Sequence, residues 1–361
     1  MSAGTATTAI TTASKPAALG YRMPAEWEPH EATWLSWPRK DSISFPGSYE
    51  KVLPALAAMV HALAASEQVN INVCDAEHEA QVRTALAKTR AKHDHVNFFH
   101  IPTNEPWCRD HGPIFLTREE DPRMAIVDWG YNAWGWKYPP FEDDDVVPTR
   151  IAKMLGMPVY APGMVLEGGS IDVNGAGTLI TTKSCLLNAN RNPELNQKEI
   201  EQHLCDYLGV KHILWLSDGI EGDDTDGHVD DLTRFVDRTT VLTAVEEDEN
   251  DQNHEPLQTN LDLLRSMDVE DGTPLAIHTL PMPCKMVREG QRLPASYANF
   301  YIGNKVVLLP VFKDTHDKWA VAVLQKAFPT RKIVPIDCRE LIWGLGAFHC
   351  LTQQQPRVAA V

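Results

Sequence analysis

Short β-branched runs alternate with helical stripes along this chain, and no linker or low-complexity break separates them after residue 20. The runs at 69–75, 96–102, 113–117, 124–129, 178–188, 212–218, 235–245, 275–280, 301–312 and 332–337 are bounded by turn residues and read as strands. Between them, Val52, Leu56, Met59, Val60 and Leu63 recur at helical spacing, with Pro54 expected in the first turn of that helix. Asn192-Pro193 reads as a cap and first-turn proline opening a helix that runs through Leu208 and stops at Gly209. Stretches 255–267 and 316–328 complete the helical set. Neither element type can bury its apolar face alone, so interleaving of this kind predicts one α/β domain over residues 21–361. The Ala- and Thr-rich stretch 1–20 is expected as a flexible tail. No internal repeat is visible by eye. The acidic runs at 142–145 and 246–251 read as exposed loops.

Charge and cysteine usage narrow the function classes. Lys and Arg number 33 against 49 Asp and Glu, a net charge of −16. Phosphate backbones need clustered cations, so nucleic acid is not an expected partner. A negative field attracts a cationic small molecule, although it also serves plain solubility. No apolar run approaches the roughly 20 residues that cross a bilayer, so no membrane partner is expected. Residues 1–18 lack the continuous apolar centre of a secretory signal. Seven cysteines, odd in number and without a CxxC pair, favour reduced thiols and a cytoplasmic location. No GxGxxG or P-loop string supports a nucleotide cofactor, and no cofactor is expected.

Chemistry-bearing residues gather in four segments: Trp107-Cys108-Arg109-Asp110-His111-Gly112-Pro113, Leu166-Glu167-Gly168-Gly169-Ser170, the acidic stretch 222–231 around His228, and 344–356, which holds His349-Cys350. Thiol, imidazole and carboxylates in glycine-bearing loops fit a Cys-His-Asp hydrolase. His349 is adjacent to Cys350, so in an extended segment the two side chains point to opposite faces. His228 is therefore the better partner for the thiol, and His349 is expected to orient the loop or pack. His228 and Asp230 also have a spacing open to a metal pair. Carboxylates outnumber imidazoles there and no second histidine is near, so no metal is expected. Cys108 reads as a packing residue.

These segments, together with MPAEWEPHE at 23–31, resemble the agmatine deiminases. That family lies within the guanidino-group-modifying superfamily, beside arginine deiminases and bacterial peptidyl-arginine deiminases. WCRDHGP, LEGGS, DDTDGHVD and HCLTQQQP follow in the family's order, and the likeness runs from about residue 21 to Pro356. It implies a five-bladed α/β propeller, the pentein fold, with pseudo-fivefold symmetry of ββαβ-like units. It also implies hydrolysis of agmatine to N-carbamoylputrescine and ammonia, a step of polyamine (putrescine) biosynthesis, and family members are commonly homodimers.

By the same resemblance, Asp110 and Asp230 hold the guanidinium, Cys350 attacks its carbon to form an amidino intermediate, and His228 moves protons. Glu167 corresponds to the carboxylate that orients His228. Agmatine carries an ammonium at its far end and no carboxylate. Asp224 is the leading candidate to receive a cationic end, with Asp223 and Asp226 as neighbours, and Trp107 is a candidate to cover the alkyl chain. The nucleophile loop departs from the family's usual three glycines. It reads Gly344-Leu345-Gly346, then Ala347 and Phe348 in place of a polar and aliphatic pair. Two alternatives stand beside this activity: a peptidyl- or free-arginine deiminase, and a non-catalytic polyamine-binding protein that kept the acidic pocket.

Overall fold

The computed structural model describes residues 14–88 and 94–358. One unit recurs: an antiparallel hairpin whose second strand leads through a helix to a parallel third strand, and five such sheets are present. In the second blade Ile114–Thr117 pairs antiparallel with Met124–Val127, and helix Val147–Leu155 leads to the parallel Val159–Tyr160. The third is built from Ile171–Val173, Thr178–Thr182, helix Gln197–Leu208 and His212–Leu216. The fourth uses Thr233–Phe235, Thr240–Val245, helix His254–Leu264 and Ala276–Pro281. Tyr301–Ile302, Val306–Val311, helix Asp317–Ala327 and Lys332–Asp337 form the fifth.

The first blade closes the ring. Its inner strand is the last in the chain, Thr352–Pro356, antiparallel to His30–Ser36. Helix Tyr49–Ala64 then leads to Gln68–Val73, and helix Ala76–Ala87 adds an outer strand, Val96–His100. Pairing of the two chain ends in one sheet locks a propeller shut. The fold is the five-bladed α/β propeller, with its pseudo-fivefold repeat carried by topology and not by recurring residues.

Several local expectations shift. Stretch 235–245 is not one strand: Asp237 accepts the backbone N–H groups of Thr239 and Thr240, turning the chain into a hairpin. The run 301–312 likewise breaks at Gly303-Asn304 between paired strands. The strand from residue 178 ends at Thr182, whose hydroxyl caps the turn Lys183–Leu186 by accepting the Cys185 N–H. Asn192 does not cap a helix, because its amide is bonded on both sides to the backbone of Val165. The cap is Asn196, with Glu199 completing a reciprocal capping box. Pro54 lies inside its helix, beyond the first turn. The acidic run at 142–145 is a helical turn, Glu142–Asp145, not an exposed loop: Asp144 is fully buried and accepts the backbone N–H groups of Asn104 and Glu105. Of the expected N-terminal tail, residues 1–13 lie outside the described residues, whereas Pro16–Leu19 form a 3-10 turn with Pro16 buried. No helix among the described residues is long and apolar enough to cross a membrane.

Candidate active site

Each blade delivers a short turn to the propeller axis just before its inner strand. These turns are Cys108–His111, Gly168–Ser170, Val229–Asp231, the segment holding Asn299, and Phe348–Leu351. The groups the sequence singled out at the reacting centre therefore come from equivalent places in four blades, with His228 and Asp230 sharing one turn. Side chains from residue 110 to residue 350 meet because the repeat is circular.

Cys350 sits at the end of a pocket and is 5% exposed. Its sulfur receives the Asn299 Nδ2–H at 3.1 Å and lies 3.5 Å from Asp230 Oδ2. The Asn299 Oδ1 accepts the backbone N–H groups of His349 and Cys350, which fixes the nucleophile turn. Burial, followed by the nearby Asp230, Asp231 and Asp110, pushes the Cys350 thiol well above its usual pKa and so favours the neutral thiol. Asn299 escaped the sequence reading: it stands in no charged or glycine-rich motif, and only its position ahead of an inner strand marks it.

Asp110 accepts from Trp134 Nε1 at 3.0 Å and from the Gly169 N–H at 3.0 Å. The glycine is required there, since a Cβ would stand 2.6 Å from His228 Nδ1 and 2.8 Å from Asp110 Oδ1. Burial first, then repulsion from Asp230 and Glu167 against attraction from His228, raises the Asp110 carboxyl to about 6. Asp230 moves the other way. Burial opposes its charge, but His349 and His228 outweigh that and hold it below the usual carboxylate range. Its Oδ1 is buried with no hydrogen-bond partner among the described residues.

His228 is fully buried, its Nδ1 3.7 Å from Asp110 Oδ1 and 4.0 Å from Asp230 Oδ1. Neither ring nitrogen has a hydrogen bond among the described residues. Burial works against its charge, yet Asp110, Cys185 and Asp230 together raise its pKa well above the ordinary histidine value. Glu167 pairs with Arg191, whose Nε reaches Glu167 Oε1 at 2.6 Å, and makes no hydrogen bond to His228 among the described residues. The other oxygen is buried with no hydrogen-bond partner among the described residues. Glu167, Cys185 and His228 present ligand-type atoms within 4.8 Å of one another. A cation there would face the buried Arg191 guanidinium, which makes the cluster a poor metal site.

The pocket's charged lining is acid alone, Glu105, Asp110 and Asp224, between aromatic walls that include Trp107, Trp134, Tyr138 and Trp343. Asp224 accepts from the Tyr138 hydroxyl, and burial raises its carboxyl pKa. The Lys137 Nζ bonds the Asp224 carbonyl at 2.5 Å and Asp226 Oδ1 at 2.9 Å. Asp226 is further committed to Arg191, and Asp223 to the backbone N–H groups of Thr225 and Gly227. Of the acids at 223, 224 and 226, Asp224 is thus the one on the pocket wall. Trp107 both packs and lines: its Nε1 donates to Ser44 Oγ at 2.9 Å, and its ring lies where a Cβ at Gly346 would come within 2.6 Å. Leu345 adopts φ +69°, a left-handed conformation usual for glycine, and its side chain reaches the pocket. Cys108 is fully buried in an apolar cluster, and burial pushes its thiol up to about 12.

His349 does not simply pack. Its segment is a helical turn, not the extended segment from which opposite faces for His349 and Cys350 were expected. Its Nδ1 lies 2.7 Å from Asp230 Oδ2 and its Nε2 2.8 Å from Glu26 Oε2.

Comparison with known proteins agrees with this fold. Residues 22–356 match the Porphyromonas-type peptidyl-arginine deiminase family. The chain is 38% identical to an agmatine deiminase of Pseudomonas aeruginosa, over 95% of this chain and 97% of that one. Among solved structures, an agmatine deiminase of Enterococcus faecalis superposes with a TM-score of 0.90 at 34% identity, covering 96% of this chain and 98% of that chain. A cysteine-to-serine variant of the C. jejuni agmatine deiminase, solved with substrate bound, gives a TM-score of 0.85 at 32% identity over 93% of this chain and 96% of that one. The chain belongs to the Porphyromonas-type peptidyl-arginine deiminase family, alongside its agmatine deiminases.

Proposed function

We propose that this protein is an agmatine deiminase, which hydrolyses agmatine to N-carbamoylputrescine and ammonia. The observation that carries the choice of substrate is the pocket lining: every charged residue in it is an acid. A substrate bearing a cation at each end and no carboxylate is complementary to such a wall. An α-carboxylate, as in free arginine, would meet repulsion with no Arg or Lys among the lining residues to receive it. The agmatine deiminases among its relatives support the same choice.

In this scheme Asp110 and the free Oδ1 of Asp230 take the guanidinium N–H edges and fix its plane. The arriving cation offsets the charge of a thiolate, so Cys350 gives its proton up to solvent only as substrate binds. The sulfur bonds to the guanidino carbon, and the carbon–nitrogen π pair moves onto nitrogen. His228, held protonated by its acidic neighbours, gives its proton to one amino group. The C–N bond breaks, ammonia leaves, and a cationic S-linked amidino adduct remains. Neutral His228 then takes a proton from water as the oxygen attacks the same carbon. Collapse of that adduct breaks the C–S bond and frees the ureido product, and the hydroxyl proton returns the sulfur to thiol. Asp224 is the candidate receptor of the distal ammonium, and Trp107 walls the alkyl chain. Glu167 acts through its charge and its contact with Arg191. Polyamine synthesis is the setting this reaction fits, and seven unpaired cysteines fit a cytoplasmic one.

Ammonia release with agmatine, free arginine and an arginine peptide tests this function. Turnover of agmatine alone supports it; turnover of arginine but not agmatine rejects it. Intact mass of the protein quenched during agmatine turnover is expected to show an amidino adduct that Cys350→Ala abolishes. A Cys350→Ala variant with unchanged turnover overturns the covalent route. Agmatine binding with no turnover in the wild type returns the protein to a polyamine binder.

A further inference from the structure

Beneath the reacting groups lies a buried ionic cluster that the reaction scheme leaves unused. Glu26 comes from the segment leading into the first blade, more than three hundred residues from His349 in sequence. Its Oε2 receives Arg234 at 2.9 Å, Arg109 at 3.3 Å and His349 Nε2 at 2.8 Å, and its Oε1 accepts the Ile302 N–H at 2.8 Å. Arg234 also donates to Asp172 at 2.5 Å. His349 spans the gap to Asp230 Oδ2 at 2.7 Å, while its backbone N–H is held by Asn299 and its carbonyl by Arg109.

Both ring nitrogens of His349 face carboxylate oxygens. An ionised carboxylate accepts and cannot donate, so each nitrogen must carry a proton. Burial opposes the charge of Glu26, but Arg234, His349 and Arg109 hold it ionised, well below the usual range. The charges then balance: Glu26, Asp172 and Asp230 against Arg109, Arg234 and His349. A neutral imidazole would leave one uncompensated charge in the protein interior, which is costly. Around Cys350 the three aspartates diverge. Asp110 and Asp231 are driven upward, chiefly by burial, and only Asp230, the one bonded to His349, is lowered.

We propose that His349 is a positioning residue: a doubly protonated bridge between Glu26 and Asp230 that keeps Asp230 ionised and turned, with Oδ2 tied down and Oδ1 free for the substrate guanidinium. The inference rests on the deiminase reading above, because it assigns Asp230 to the guanidinium. Its physical content is that one carboxylate is committed in advance of binding, so the substrate cation need not organise it.

Asn at position 349 can place its amide N–H near the site of Nδ1, and Gln near that of Nε2. His349→Asn therefore keeps a donor to Asp230, and His349→Gln keeps one to Glu26. In agmatine turnover kcat/KM is expected to fall about tenfold in His349→Asn and about a hundredfold or more in His349→Gln, since a charge-assisted bond to a buried acid is lost in the second. In both variants the acid limb of the kcat/KM profile, set in the wild type by Asp110, steepens and moves to higher pH, because Asp230 loses the cation that favours its charged form and titrates on that limb as well. The neighbours that also act on that limb are His228, Asp110, Asp231, Glu167, Cys350 and Arg234. Equal losses with an unmoved limb would reduce His349 to packing and overturn the proposal. A second readout needs no turnover. In the wild-type protein labelled with 15N-histidine, the His349 resonances, identified by their loss in either variant, are expected to show both nitrogens protonated at neutral pH. One bare nitrogen overturns the proposal even if both variants are inactive. A wild type that releases no ammonia from agmatine refutes the reaction assignment instead, and leaves the proton count of His349 standing.

Discussion

Two buried histidines flank Asp230, and the fold treats them oppositely. His349 has both ring nitrogens within 2.8 Å of a carboxylate oxygen. His228 has two carboxylates near at 3.7 and 4.0 Å and a hydrogen bond to neither. A satisfied ring is part of the scaffold, because moving its proton would break two short bonds. An unsatisfied one, charged and surrounded by acids, has a proton that can be transferred at little structural cost. The same contrast runs through the carboxylates. Oδ2 of Asp230 is tied down, whereas its Oδ1 is buried with no partner among the described residues, an arrangement that makes sense when a ligand supplies the missing donor.

The comparison can be broken most sharply at His228. His228→Gln keeps much of the volume and removes the transferable proton; kcat is expected to fall by about 10³-fold, measured as steady-state ammonia release. A drop no larger than that of His349→Asn would erase the distinction between the two rings. Next in size is the pocket wall. Asp224 accepts from the Tyr138 hydroxyl, and Asp224→Asn removes its charge while keeping its shape. About a 10- to 100-fold rise in KM for agmatine with a smaller change in kcat is expected from loss of one charged contact. An unchanged KM would place the distal ammonium elsewhere.

A smaller effect is set by pH. Asp110 titrates near 6, raised by burial. Its protonated form is neutral and cannot pair with a guanidinium, so the cation-binding form is present above that pH. Activity is lost as pH falls through it. The kcat/KM for agmatine is expected to drop about tenfold per unit on the acid side, and a profile flat down to pH 4.5 would refute the role given to Asp110. Least affected is the rim. Asn196→Ala removes a capping box far from the axis and should lower unfolding free energy by about 1 kcal/mol in denaturant titration, with kcat unchanged. A change in kcat there would mean that helix Gln197–Leu208 is coupled to the site.

Much of the site was written in motifs that local chemistry makes conspicuous. Cys350 stands beside glycines, His228 is ringed by aspartates, and the Gly169 requirement appears in sequence as LEGGS. The fold class was legible from alternation, but the fivefold repeat was not. Each blade repeats a hydrogen-bonding pattern that many β-branched and apolar residues satisfy, so nothing forces the residues themselves to recur. The hairpins at 235–245 and 301–312 read as single strands because a tight turn needs only an aspartate or a Gly-Asn pair, which apolar runs on either side obscure.

By itself the sequence determined which atoms can react and which segments are strand or helix, since nucleophilicity, periodicity and turn chemistry are properties of neighbouring residues. Tertiary structure alone decided that Glu26 reaches His349 and that Asn299 holds the sulfur. It also decided that Arg191 pairs with Glu167, and that Asp144 is buried against the backbone N–H groups of Asn104 and Glu105. Each of these depends on which charges share a dry interior, where a single unmatched ion is costly, and that census is taken across blades and not along the chain.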